Sequence, residues 1–205
     1  MSMKIGPRYK IARRLGSNIF EKTQSPKFAE REARRSRRTA RSSRQRTEYG
    51  VQMLEKQKAR FMYGVSECQF GKYVLRATSS KGGKPSQKLY ESLEMRLDNV
   101  IYRAGFAPTR MAARQAASHG HFTVNGKRVT IASYKLSVGD KVKVREGSSG
   151  KALFALLEER LKGYTASAWL KTTLGEKEIE LVGLPNIEGA DIAIDLKSVL
   201  EFYSR

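Results

Sequence analysis

The sequence predicts an α+β protein in which a mostly helical domain and a small α+β module follow an extended basic N-terminal arm. Three observations carry this. Apolar residues recur at helical spacing from Thr47 to about Gly105. Asn125-Gly126 then sits between two alternating apolar–polar segments, the strongest short-range hairpin signal. Ahead of both, residues 30–46 read EREARRSRRTARSSRQR, with eight arginines in seventeen positions and only Ala33 and Ala40 apolar.

Taken in order, residues 1–46 form the arm. Pro7 and Pro26 break it, Gly6 and Gly16 loosen it, and its few apolar residues predict a segment that orders only on a partner. The first part of the helical domain spans 47–92. One helix carries Val51, Leu54, Phe61, Met62 and the stem of Lys58; a second carries Phe70, Tyr73, Val74 and Ala77. KGGKP at 81–85 is a break, after which Ser86 is expected to cap a long helix with Leu89, Leu93, Leu97, Val100 and Ile101 on one face, ended by Gly105. The module is expected at 93–149. Thr109 caps a short helix that stops at Gly120, and the hairpin and a strand with Val138, Val142 and Val144 follow. In 150–205, a helix with Leu153, Leu156, Leu157 and Leu161 precedes Trp169, read as a packing anchor. EKEIELVGLP reads as an edge strand, and AIDLKSVLEFYSR as a terminal element packed on the helical domain through Ile194, Val199, Leu200 and Phe202.

Charge narrows the partner. The chain of 205 residues has a formal charge of +20, unevenly placed. Residues 1–60 carry +13, residues 61–149 carry +9, and residues 150–205 carry −2. Such self-repulsion calls for a polyanion, and nucleic acid is the usual one. An anionic membrane would require a broad apolar helix face beside the bases, which the arginine run lacks. No apolar stretch reaches the ~20 residues of a membrane span. One cysteine and an N-terminus without a secretory h-region fit a cytoplasmic, reducing setting.

Among candidate sites, Arg110 and Arg114 lie one turn apart on the short helix, with small residues between them, and Lys127 and Arg128 follow in the hairpin. These four are expected to share a face on RNA backbone. Gln52, Lys56 and Arg60 are expected to form a basic stripe turned to RNA, with Leu54 and Phe61 facing the core. His119 and His121 lack the further ligands of a metal site, so His119 reads as a capping or RNA-contacting residue. Cys68 reads as a buried structural thiol. No nucleophile, acid pair or phosphate loop points to an enzyme.

At YGVQMLEKQKARFMYGVSECQFGKY and LEMRLDNVIYRAGFAPTRMAARQAASHGHFTVNGKRVTIASYKLSVGDKVKVRE the chain closely resembles the family of small ribosomal subunit protein four, which lends its name to the S-four module. KIGPRYKIARRLG and VLEFYSR extend the likeness over nearly the whole chain. The resemblance implies a helical domain built from both sides of an inserted module. It also implies a structural protein that binds small-subunit ribosomal RNA at a multi-helix junction of the 5′ domain, nucleates assembly, and contributes to messenger uptake and decoding accuracy. Expected neighbours are messenger RNA and small-subunit proteins three and five, with no membrane and no cofactor. The expected RNA contacts are Lys4, Arg8, Lys10, Arg13, Arg14, Arg34, Arg35, Arg37, Arg38, Arg41, Arg44, Arg46, Tyr49, Gln52, Lys56, Lys58, Arg60, Arg110, Arg114, His119, Lys127 and Arg128; catalytic and metal residues are none. Arg41, Arg44 and Arg46 are placed nearest the messenger. The chain departs from many relatives in lacking the arm cysteines that bind zinc and the Gly-Gln-His-Gly stretch, where TARSSRQR stands instead. An RNA-modifying enzyme would need a further catalytic domain, and a stand-alone RNA chaperone with this module lacks the flanking helices.

Overall fold

A computed structural model describes residues 5–38, 47–80, 82–173, 175–188 and 194–204, without the side chains of 36–38 and 158. These residues form two compact units, one from the sequence up to Leu89 together with the C-terminal residues, the other from Tyr90–Glu188.

The first unit begins with helix α1 (Arg8–Leu15), a 3-10 turn at Glu21–Thr23 and helix α2 (Pro26–Arg38). The expected extended arm is therefore helical over most of its described length. Ala12, Leu15, Ile19, Phe20 and Phe28 are buried together, with Ile11, Leu54, Phe61 and Met62 packed against them. Few apolar residues suffice here because α3 (Glu48–Tyr63) presents its own apolar face. Residues 39–46 lie outside the described residues. Thr47 caps α3 through Gly50 N–H, and Gly64 ends it in the left-handed region.

Helix α4 (Glu67–Ser79) buries Phe70, Val74 and Ala77, and Ser66 caps it through Gln69 N–H. Cys68 is exposed, contrary to expectation. It precedes Phe70 by two residues, which turns it to the opposite side of the helix. Helix α5 (Pro85–Glu94) starts two residues earlier than a Ser86 cap would put it, on a proline that suits a first turn, so Ser86 lies inside it.

The expected long helix is interrupted. Helix α6 (Leu97–Arg103) is separate, because Arg96 is extended (φ −77°, ψ 141°) and bridges to Lys135. Leu97 N–H and Asp98 N–H donate to the carbonyls of Tyr134 and Ala132, and Leu136 N–H donates to Met95. Helix α7 (Arg110–Ser118) follows, its Thr109 hydroxyl accepting from Ala112 N–H as expected.

Strands β1 (Phe122–Val124) and β2 (Lys127–Arg128) form the expected hairpin, with φ 49° at Asn125 and 79° at Gly126, and β3 (Lys141–Val144) pairs with β1. Val138 is exposed outside the strand. The expected helix after residue 150 is broken into short turns, α8 (Glu146–Ser149), α9 (Ala152–Ala155) and α10 (Leu157–Lys162). Phe154, Leu157 and Leu161 are buried while Leu153 and Leu156 are exposed.

A strand not expected, β4 (Leu170–Thr173), pairs with β5 (Glu178–Leu181). The antiparallel order β2-β1-β3-β5-β4 puts β5 inside the sheet and β4 at its edge, reversing the expectation for EKEIELVGLP. Register aligns Phe122 with Val144, Val142 with Ile179, and Leu170 with Leu181, so one face is apolar. It closes over Leu97, Val100, Ile101, Phe106, Ala113 and Ala117, and Trp169 packs at its margin, as read from the sequence.

The chain then returns to the first unit in α11 (Leu196–Tyr203). Asp195 caps it by accepting from Lys197 and Ser198 N–H, and Ile194, Leu196 and Val199 are buried. It packs mainly on α3 and also on α4.

Candidate nucleic-acid interface

The outer sides of α1 and α2 are basic. Lys10, Arg13, Arg14, Lys22, Lys27, Arg31, Arg34 and Arg35 are exposed and Arg8 half-buried. Arg13 pairs with Glu32 and lies over the Phe28 ring, which also stacks on Tyr9. The helices thus present guanidinium and ammonium groups from a defined backbone instead of from a loose tail. Lys22, Lys27 and Arg31 were not in the expected set, although an amphipathic reading of PKFAEREARR would have exposed Lys27 and Arg31. Lys4, Arg41, Arg44 and Arg46 lie outside the described residues, as do the side chains of Arg37 and Arg38.

The stripe expected on α3 is turned inward. Gln52 and Lys56 are buried, and the Gln52 amide donates to Glu48 and Glu201. The Lys56 ammonium sits 2.8 Å from Glu67 and 4.4 Å from the centre of the Phe202 ring. Arg60 shares Glu67 at 2.8 Å, and Tyr203 donates to the same carboxylate. Burial pushes the Glu67 carboxyl up, but the hydrogen bonds from Lys56, Tyr203 and Arg60 outweigh it and leave the group below its ordinary value. Lys58 is held by Glu55 at 2.6 Å. These charges join α3, α4 and α11. The large apolar side chains that α3 exposes are Tyr49, Val51 and Met53, with Tyr49 tilted against Phe202.

In the second unit, two buried carboxylates gather four arginines. Asp98 takes a two-pronged contact from Arg96, at 3.1 and 2.8 Å, and a further one from Arg114 at 2.6 Å. Glu94 takes Arg103 at 2.9 and 2.7 Å and Asn99 at 2.5 Å, while Asn99 accepts from Arg110 Nε at 2.8 Å. The Arg110 guanidinium also lies 4.4 Å from the Tyr102 ring centre. Arg110 and Arg114 are therefore half-buried and held by their own unit, contrary to the expected open pair. The sequence signal was the acids in LEMRLDN, whose partners lie beyond the helix they belong to.

Lys127 and Arg128 are exposed, as is His119. Arg128 folds back over Gly120 and donates to the His119 carbonyl at 3.4 Å. Gly120 has φ 70°, and a Cβ there would fall 2.3 Å from Arg128 Nε. His121 is buried, its Nδ1 3.0 Å from Ser148 Oγ, and its ring meets His119 and Phe154 edge-on. Burial lowers its pKa, and the nearby charges of Lys151, His119, Arg145 and Arg128 lower it further. Of these five expected residues, Lys127, Arg128 and His119 are exposed, with Arg128 reaching the His119 carbonyl, while Arg110 and Arg114 are held by Asn99 and Asp98.

No described helix is long and apolar enough to cross a membrane. Residues 3–94 match the family described as Ribosomal protein S4/S9 N-terminal domain, and residues 95–142 match the S4 domain. The chain is 40% identical to a small ribosomal subunit protein uS4 of Chloroflexus aurantiacus over the full length of both. It is 41% identical to that of Roseiflexus castenholzii and 39% identical to that of Brevibacillus brevis, again over the full length of both chains. A likeness of this extent, across helical unit and module alike, means that the chain belongs to the small ribosomal subunit protein uS4 family.

Proposed function

We propose that the protein binds small-subunit ribosomal RNA at a multi-helix junction of the 5′ domain and nucleates assembly there. Its family makes it a structural, non-enzymatic component of the small ribosomal subunit with an S4 RNA-binding domain. The observation that supports direct RNA binding is the disposition of charge. Three acids of the basic part, Glu67, Glu94 and Asp98, are engaged within the fold by Lys56, Arg60, Arg96, Arg103 and Arg114. The bases of α1, α2 and the β1–β2 hairpin are left facing outward. Cations placed on rigid elements contact phosphates with less ordering cost than a free tail would.

On this reading Lys10, Arg13, Arg14, Arg34, Arg35, Lys127 and Arg128 follow the RNA backbone, and Tyr49 offers a ring to an unstacked base. Messenger RNA near Arg41, Arg44 and Arg46, neighbours corresponding to small-subunit proteins three and five, and an influence on decoding accuracy complete the proposal. The test is sedimentation of a cell extract with footprinting of the small-subunit RNA. Near-stoichiometric migration with small subunits and protection confined to the 5′ domain are expected. Protein that sediments free of subunits would refute the reading.

A further inference from the structure

We propose that Arg145 and Lys151, together with Arg128, form a subsite for one or two RNA backbone phosphates beside His121. This deepens the ribosomal RNA reading and rests on it.

The turn from β3 into α8 and α9 wraps around His121. Arg145 N–H donates to the His121 carbonyl at 2.9 Å, Ser148 N–H to Arg145 at 2.8 Å, and Lys151 N–H to Ser148 at 3.1 Å. The Ser148 hydroxyl reaches the His121 ring, and on the other side Arg128 is drawn over Gly120 toward the His119 carbonyl. Cations from the hairpin and from the β3–α9 turn thus flank one imidazole.

Among the described residues no carboxylate forms an ion pair with Arg128, Arg145 or Lys151: Asp140 is occupied by Asn125 and by Ser137 N–H, Glu178 and Glu176 face Lys141 and Lys143 at 3.2 and 3.8 Å, and Glu146 is exposed. Arg145 Nε is buried with no hydrogen-bond partner. That Nε is closed to solvent, so the half-buried Arg145 would meet a phosphate through the terminal nitrogens of its planar fork, which suit phosphate oxygens. Lys151 adds an exposed point charge without fixed geometry, as a phosphate-backbone contact requires.

The test uses the full chain and a transcript of the 5′ domain of small-subunit RNA, with binding measured from 0.05 to 0.3 M salt. Losing two contacts through R145Q/K151Q should lower the log–log salt slope by about 1.4–1.8, and affinity at 0.1 M salt by about 25- to 60-fold. K151Q alone, at an exposed position that folding does not depend on, should lower the slope by about 0.7–0.9 and affinity about 5- to 8-fold. K151Q decides the matter if the double variant fails to fold. Unchanged slope and affinity in the folded variants, with K10Q/R14Q still weakening binding, would overturn the subsite and leave the ribosomal RNA reading intact. A wild-type protein that binds an unrelated transcript of equal length as tightly would overturn that reading, and the subsite with it.

Discussion

Asp98→Ala should destabilise the module more than any other single change to its buried ion pairs. Asp98 is almost fully buried and is the counter-charge for Arg96, itself buried, and for Arg114. Truncation leaves the Arg96 guanidinium in the interior without its carboxylate, a loss of about 3–5 kcal/mol for a broken buried pair. A single domain has only about 5–15 kcal/mol in total, and a unit the size of Tyr90–Glu188 loses roughly 4–8 °C of Tm per kcal/mol. The expected fall is therefore at least about 12 °C. Arg114→Met should cost less, about 1–3 kcal/mol, because Asp98 keeps its two-pronged partner and Arg114 is nearer solvent. Urea unfolding followed by hydrogen exchange of the Val100, Ile101 and Phe122 amides reports on this unit selectively. The reasoning fails if Asp98→Ala costs under about 1 kcal/mol, or if Arg114→Met costs as much as Asp98→Ala.

Lys56→Met should lower the stability of the helical unit by about 1–2 kcal/mol, discounted because Glu67 is well exposed, while the folded variant keeps wild-type RNA affinity; a reduced salt slope would show that Lys56 reaches RNA after all. Gly120→Ala forces a side chain into left-handed backbone and onto Arg128, so about 1–2 kcal/mol of stability and part of the RNA affinity should be lost together; calorimetry paired with binding checks both. Thr109→Ala removes the cap on Ala112 N–H and should cost about 1 kcal/mol in urea unfolding. His121 titrates lower in the fold than in the unfolded chain, so its contribution is complete above about pH 6.5 and declines as pH falls toward the folded pKa. Bound phosphate should raise that pKa, visible in the ring resonances; an RNA-independent titration would contradict it.

How far the fold could be read depended on the range of the interactions that set it. The β1–β2 turn and the Thr109 cap follow from adjacent residues, and both are where the sequence put them. The interruption at Arg96 does not, because its backbone is drawn out by partners at Ala132 and Tyr134. Lys56 carried the ordinary signal of a solvent-facing base; its burial depends on Glu67 and on Phe202 from the far end of the chain. Arg110 and Arg114 stand out by their spacing, yet Asn99 and Asp98, which hold them, lie eleven and sixteen residues away, outside the reach of a helix-face argument. The N-terminal helices were read as loose because Ile19, Phe20 and Phe28 are too few to make a core alone, and the face of α3 that completes it could not be assigned to them from periodicity.

The return of the chain into the helical unit has a consequence for synthesis. Translation delivers α1 to α4 first, and Tyr90–Glu188 next as an uninterrupted block able to close its own core. Throughout that time the side of α3 bearing Gln52, Lys56 and Ala59 waits for α11, which emerges among the last residues. A nascent chain is thus half-finished in its first-made part until its last-made part is released. A premature stop between Glu188 and Leu196 would leave a closed module attached to a helical unit without α11, with Lys56 and the neighbouring apolar side of α3 uncovered.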